Sequence, residues 1–294
     1  MSGAFSSTSE QTLAVLPDAV RSVRRRFLQR RSARCGLALA IFFMVAITLG
    51  PLFLRFNPEQ MNPAKKLQAP STFHWLGTDQ FGRDQLARLL DGGRRSLGAA
   101  VLVLTGVMLL SLLIGIVTGM IGGIVDTITQ RLLDVVLALP AMVLALAIVG
   151  VLGVGYRNLL LALLISSWAY YARLARSGVR LAKTRLDVIA DRMAGVSWTR
   201  IIVGHIVPGV AMQLLIVATL DLSGVMIGIA GLSFLGLGVQ PPDAEWGAML
   251  AEARLYFTVA PWLLLAPATA IFLSVVAANL IGNALRDAVA GGTR

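Results

Sequence analysis

A single cysteine, Cys35, stands among 294 residues. An internal disulfide framework is therefore excluded, and no cysteine–histidine spacing suited to zinc exists. There are only two histidines, His74 and His205. Both fall outside the apolar runs and on opposite sides of them, so they cannot share one metal. Charged residues make up 14% of the chain, against about 25% in a soluble domain. That shortage excludes an ordinary soluble globule. Catalytic signatures are missing as well. There is no G-x-x-x-x-G-K-[ST], so ATP is not hydrolysed here through a P-loop. There is no G-x-S-x-G, no H-E-x-x-H, and no pair of carboxylates at helical spacing inside an apolar run. The chain reads as a non-enzyme.

What is present is hydrophobic length. Hydrophobic residues supply 56% of the sequence, and six apolar runs approach the roughly 20 residues a bilayer crossing needs. They lie at 35–54, 97–121, 132–152, 158–172, 209–232 and 262–281. The expected fold is an all-α integral membrane protein of six transmembrane helices. Six crossings put both termini on one side. Residues 21–34 carry seven arginines, and 173–200 carry seven basic residues against two acidic. Excess Lys and Arg mark the cytoplasmic side, so both segments and both termini are expected there. The arginines serve either as a topology signal or as a short amphipathic helix on anionic membrane lipid. The segment 55–95, with seven basic and four acidic residues, weakens the charge rule, whereas the acidic balance of 239–261 supports it. Topology accounts for much of the net charge of +11, so no nucleic-acid partner is expected. Residues 1–20 show little pattern and are expected to be mobile. The domain reading is a basic N-terminal arm (1–34), a transmembrane domain (35–282) and a cytoplasmic tail (283–294).

The stretch 187–208, DVIADRMAGVSWTRIIVGHIVP, is a polar and basic island between apolar runs. Val188, Ile189, Met193 and Ala194 fit one face of a short helix. Gly195 interrupts it. Ser197 can cap a second helix with Trp198, Ile201 and Ile202 on its apolar side. Pro208 stands at the mouth of the next run, where its missing N–H costs little. A helical pair on a membrane surface suits docking by another protein. On the other side, Thr78 and Asp79 can cap a turn, and Asp84 can start a surface helix through Leu90. The pairs Gly115/Gly119, Gly119/Gly123 and Gly224/Gly228 allow close helix approach.

Few polar residues fall inside the runs. Asp221 lies 13 residues past Pro208, about 20 Å along a helix and near mid-bilayer. An intramembrane carboxylate is costly and marks either a transport path or a buried bond to a neighbouring helix. Both readings stand. Met226 joins it as a candidate on the pathway, although methionines in spans usually pack. No firm metal site follows; Asp221 could touch a passing cation. One carboxylate and no internal repeat fit poorly with an ion-driven transporter.

Three separated segments then become specific. HWLGTDQFGRD (74–84), GLSFLGLGVQPPDAEWGAML (231–250) and ANLIGNALRDA (278–288) resemble the second permease subunit of the dipeptide, oligopeptide and nickel branch of ABC importers. The loop resembles the EAA loop of those permeases: Gly195 is its glycine and His205 to Pro208 its close, while Ile189, Ala190 and Asp191 occupy the E-A-A positions. The family glutamate is thus replaced by Ile189. The resemblance implies the type I importer permease fold, with Ile189, Ala190, Asp191, Met193, Gly195, His205 and Pro208 coupling to an ATPase. It implies a heterodimer with a homologous permease, two cytoplasmic ATPases and an extracytoplasmic solute-binding protein that faces 55–95 and 239–261. ATP and Mg would belong to the partners, with no cofactor in this chain. The expected location is the bacterial inner membrane. The runs SSWAYYARLARS (166–177), VGVLGVGYRN (149–158) and LIVATLDLSGVM (215–226) look closer to nickel permeases, so nickel or a metal chelate is placed ahead of di- or oligopeptide.

Overall fold

The computed structural model describes residues 25–53 and 56–290. The expectations for residues 1–20, for the first arginines of the arm and for the last four residues lie outside that range. Among the described residues the chain is helical. A long helix α1 (Arg31–Phe53) comes first, followed by the 37-residue α2 (Gln85–Ile121), α3 (Gly123–Leu137) and α4 (Ala141–Leu152). Next come α5 (Tyr156–Lys183), the short α6 (Leu186–Met193) and α7 (Trp198–Ile201), a π turn at Ile202–Ile206, and α8 (Val207–Phe234). The chain ends with α9 (Trp246–Ala253) and α10 (Trp262–Ala290). Residues 283–290, read from sequence as tail, simply continue the last helix.

Four stretches are long and apolar enough to cross a membrane: α1, α2, Trp198–Phe234 and α10. The expected crossing at 132–152 is not one straight helix. It breaks at Pro140 into α3 and α4, bent by 89°. Proline has no N–H to donate, and it pushes the residue before it out of helical geometry. The bent pair makes a fifth candidate span. The helix containing 158–172 extends to Lys183, but Arg157, Arg173, Arg176, Arg180 and Lys183 leave its uncharged stretch short. The separate surface helix expected at 84–90 is also corrected. Asp84 does cap it, accepting from the Ala87 N–H, but the helix runs on without a break. Gly92 and Gly93 do not stop it because both are packing positions. A Cβ on Gly93 would meet Trp246 at 2.8 Å and Ile47 at 2.9 Å.

The centre of the bundle is α2 against α5. Gly115 and Gly119 permit it, since added Cβ atoms would sit 2.4 Å from Ala175 Cβ and 2.7 Å from Val179 Cγ1. Gly123 and Gly224 make no such helix contact, so only the first of the three spaced pairs serves close approach. Around this seam Val103, Val107, Leu159, Tyr171, Leu214 and Ile229 form one buried core. α1 packs along α10. Its Pro51 cannot donate to the Ile47 carbonyl, and Arg94 of α2 supplies the missing donor, Nε to that oxygen at 2.7 Å.

Candidate functional site

The polar island folds much as its residues dictate. α6 occupies Leu186–Met193, and Gly195 ends it with φ +84°, a conformation that suits glycine. Ser197 stands at the N-cap of α7, although its hydroxyl makes no capping bond. Pro208 sits in the first turn of α8, where a missing donor is harmless. Beneath the pair, Val188, Ile201 and Ile206 are fully buried in the main core. They peg the hairpin to the bundle.

Polar bonds brace it further. Asp191 Oδ2 and His205 Nε2 lie 3.3 Å apart, tying α6 to the π turn. The Arg192 guanidinium lies over the Trp198 ring at 4.7 Å and donates to Val196 O. Lys183 donates to Gly119 O and Met120 O, and so satisfies carbonyls at the end of α2. At the entrance of α6, burial pushes the Asp187 carboxyl up, but the Arg185 guanidinium 2.7 Å away outweighs it and holds the group below its usual range. What remains outward is apolar. Leu186 is 84% exposed and Met193 85%, with Ile189 between them at 43%. Positions i, i+3 and i+7 lie on one helix face. Ala190 is exposed beside them.

Asp221 lies halfway along α8. It is half-buried, and Tyr171 of α5 donates its hydroxyl to Oδ2 at 2.9 Å. One helix away, Ser223 lies 3.4 Å from Asn279 Oδ1 of α10. Met226 is buried in the core. Five residues along a helix is about 140° around it, so Met226 and Asp221 face different neighbours. His74 and His205 fall at opposite ends of the bundle, as expected: His74 pairs with Asp84 at the start of α2, and His205 lies in the turn before α8. Among the described residues, no group of three or more His, Cys, Asp or Glu side chains is placed to hold a metal.

Sequence reasoning missed the clamp at the other end. Asp79 accepts from Arg83 Nε at 2.6 Å, and its other oxygen takes the Phe81 and Arg83 backbone N–H groups. Glu252, in the last turn of α9, accepts from Arg83 Nη2 at 3.1 Å, Arg88 Nη2 at 3.0 Å and Gln80 Nε2 at 3.1 Å. Both arginines are fully buried. Glu245 caps α9 and accepts from Ser96 at 2.8 Å. The two segments 56–84 and 239–261 are thus one interlocked unit. The alternating acids and bases of GTDQFGRDQLAR were the available signal.

Residues 111–294 match the family described as binding-protein-dependent transport system inner membrane component. Residues 20–70 match the N-terminal TM domain of oligopeptide transport permease C. The chain is 41% identical over 260 residues to the nickel transport system permease protein NikC of Escherichia coli K12, covering 87% of this chain and 94% of that one. It is 35% identical over 280 residues to the dipeptide transport system permease protein DppC of Alkalihalophilus pseudofirmus, covering 95% and 91%. It is 37% identical over 287 residues to the glutathione transport system permease protein GsiD of Pectobacterium atrosepticum, covering 95% and 94%.

Proposed function

Because this chain belongs to the family of binding-protein-dependent transport system inner membrane components, we propose that it forms half of the translocation pore of an ATP-driven importer. It pairs with a homologous permease, with two cytoplasmic ATPases that bind ATP and Mg, and with a solute-binding protein outside. Counting α3 with α4 as one crossing and α5 as another, the chain crosses six times, with both termini and the 186–208 hairpin in the cytoplasm. The observation that carries the coupling role is the outward stripe of Leu186, Ile189 and Met193 on a helix pegged into the core. An exposed apolar stripe on a short braced helix suits insertion into a groove. Gly195, His205 and Pro208 shape the hairpin, and Ala190 and Asp191 complete the docking helix. ATPase closure then moves α6 as a rigid body, and Val188, Ile201 and Ile206 pass that motion to α5 and α8.

The test separates docking from folding. Leu186→Glu and Met193→Glu place charges on exposed positions, so membrane insertion and melting should be unchanged. ATPase copurification and transport should be lost. Normal transport in both variants would remove the hairpin from the coupling path.

For substrate we favour nickel or a metal chelate, with di- or oligopeptide as the second reading. Asp221, held by Tyr171 halfway along α8, provides a negative charge where a cation crosses, and the nickel permease NikC shares 41% of aligned residues. In proteoliposomes carrying the full complex, Asp221→Asn should slow nickel uptake more than dipeptide uptake. Equal uptake of both by variant and wild type would make Asp221 a structural residue. Calorimetry of the cognate solute-binding protein with nickel and with dipeptides decides between the substrates independently.

A further inference from the structure

We propose that the cavity between α1, the 56–75 segment and the start of α2 holds one acyl chain of a membrane phospholipid, with the phosphate against Lys65. The cavity has a volume of about 590 Å³, within the range of roughly 300–1,000 Å³ that accommodates an organic ligand. Its walls are aromatic and aliphatic: Phe42, Ile47 and Phe53 of α1, Phe56, Trp75, and Leu90 of α2. Asp84 also borders it, but both carboxylate oxygens are engaged, Oδ2 by His74 Nδ1 at 2.8 Å and Oδ1 by the Ala87 N–H. An apolar space of this size holds water poorly and forfeits packing if empty.

What fills it follows from where it opens. Phe42 and Phe53 line the cavity and are 61% and 83% exposed on a helix long and apolar enough to span the membrane. The cavity therefore continues into the surface that bilayer hydrocarbon covers. Trp75, 71% exposed at its other edge, has the amphipathic ring that favours the headgroup level. Positive charge lies close behind the Phe56 wall. Lys65 Nζ lies 6.0 Å from the centroid of Phe56, which is itself a wall of the cavity. Its contact with His74 Nε2 at 3.4 Å occupies one of the three ammonium donors, leaving two for phosphate oxygens. Lys66 beside it is exposed. An apolar slot that opens to hydrocarbon, with an ammonium 6.0 Å from the Phe56 ring of its wall, matches a phospholipid, preferably an anionic one.

The experiment uses the whole complex in inner-membrane vesicles. A benzophenone amino acid replaces Trp75, or Phe272 as a reference on the lipid face of α10. After irradiation and detergent extraction the chain is weighed intact. The expected product at position 75 is the chain plus one phospholipid mass, retained when detergent exchange precedes irradiation, whereas position 272 then gives none. Ala46→Trp, which fills the cavity, should abolish that product. Lys65→Gln should lower the anionic share about fivefold, as expected for one lost lysine near a phosphate. A product joined to another polypeptide would assign the cavity to a protein partner and overturn the proposal. So would a lipid product that detergent removes as readily at 75 as at 272, or one indifferent to both substitutions.

Discussion

Removing the Glu252 carboxylate should destabilise the bundle by about 3 kcal/mol. The reasoning starts from charge balance. Arg83 and Arg88, both fully buried, face two carboxylates, Asp79 and Glu252. Glu252→Ala leaves two buried guanidinium groups with Asp79 alone, at 2.6 Å from Arg83 Nε and 3.5 Å from Arg88 Nε. Breaking a buried ion pair by deleting one partner costs about 3–5 kcal/mol. The lower end applies because Glu252 is 22% exposed, so water reaches part of the vacated site. Glu252→Gln keeps an acceptor but not the charge, and should cost about half as much. At roughly 2–4 °C per kcal/mol for a chain of this size, Glu252→Ala lowers the melting temperature by about 6–12 °C. The assay is thermal melting of the detergent-solubilised complex followed by tryptophan fluorescence. A second measurement is decisive. Glu252→Leu combined with Arg88→Met removes one acid and one base, leaving Asp79–Arg83 balanced, and should recover most of the loss. A single-variant loss under about 1 kcal/mol, or a double variant that loses the sum of its parts, would refute the clamp as a coupled charge network.

Other outcomes follow from single contacts. Gly115→Ala puts a Cβ 2.4 Å from Ala175 Cβ and 2.8 Å from the Arg176 backbone nitrogen, and should cost about 1–3 kcal/mol by melting; Gly98→Ala, with open space around it, should be neutral or slightly stabilising. Arg94→Ala should cost about 1–3 kcal/mol because the Ile47 carbonyl loses its donor, and the cost should shrink when Pro51→Ala restores a backbone N–H. Asp191→Asn should leave stability within about 1 kcal/mol, since the pair with His205 is partly exposed, while transport per ATP falls; unchanged coupling in reconstituted complexes would show that the pair only decorates the hairpin.

The hairpin was legible because its determinants are local. Gly195 and Pro208 each act on the backbone within one or two residues, so their order alone prescribes helix, turn and helix. Asp84 as a cap was legible for the same reason. The break at Pro140 was written in the sequence too, but the continuous hydrophobicity of 132–152 masked it; length and apolarity do not report a bend. Gly92 and Gly93 show the opposite case. They look like breakers, and only Trp246, far along the chain, shows why small residues are needed there. The clamp's distant acid, Glu252, and the Tyr171–Asp221 bond were out of reach. Each joins residues far apart in the chain, and nothing beside Glu252 or Asp221 names its partner.

The clamp also sets a timetable for biogenesis. Arg88 and Glu252 are 164 residues apart. At the usual pace of synthesis, about 5–20 residues per second, the arginines emerge roughly 8–33 s before their second carboxylate exists. During that interval α2 enters the membrane with two guanidinium groups at its start, Arg83 just before it and Arg88 in its first turn, served only by Asp79. The early half of the chain is therefore incomplete in charge as well as in packing, and the arrival of α9 closes both deficits at once. A nascent chain stalled before residue 252 should remain open to quality-control proteases at the 56–84 segment, and one released after it should not.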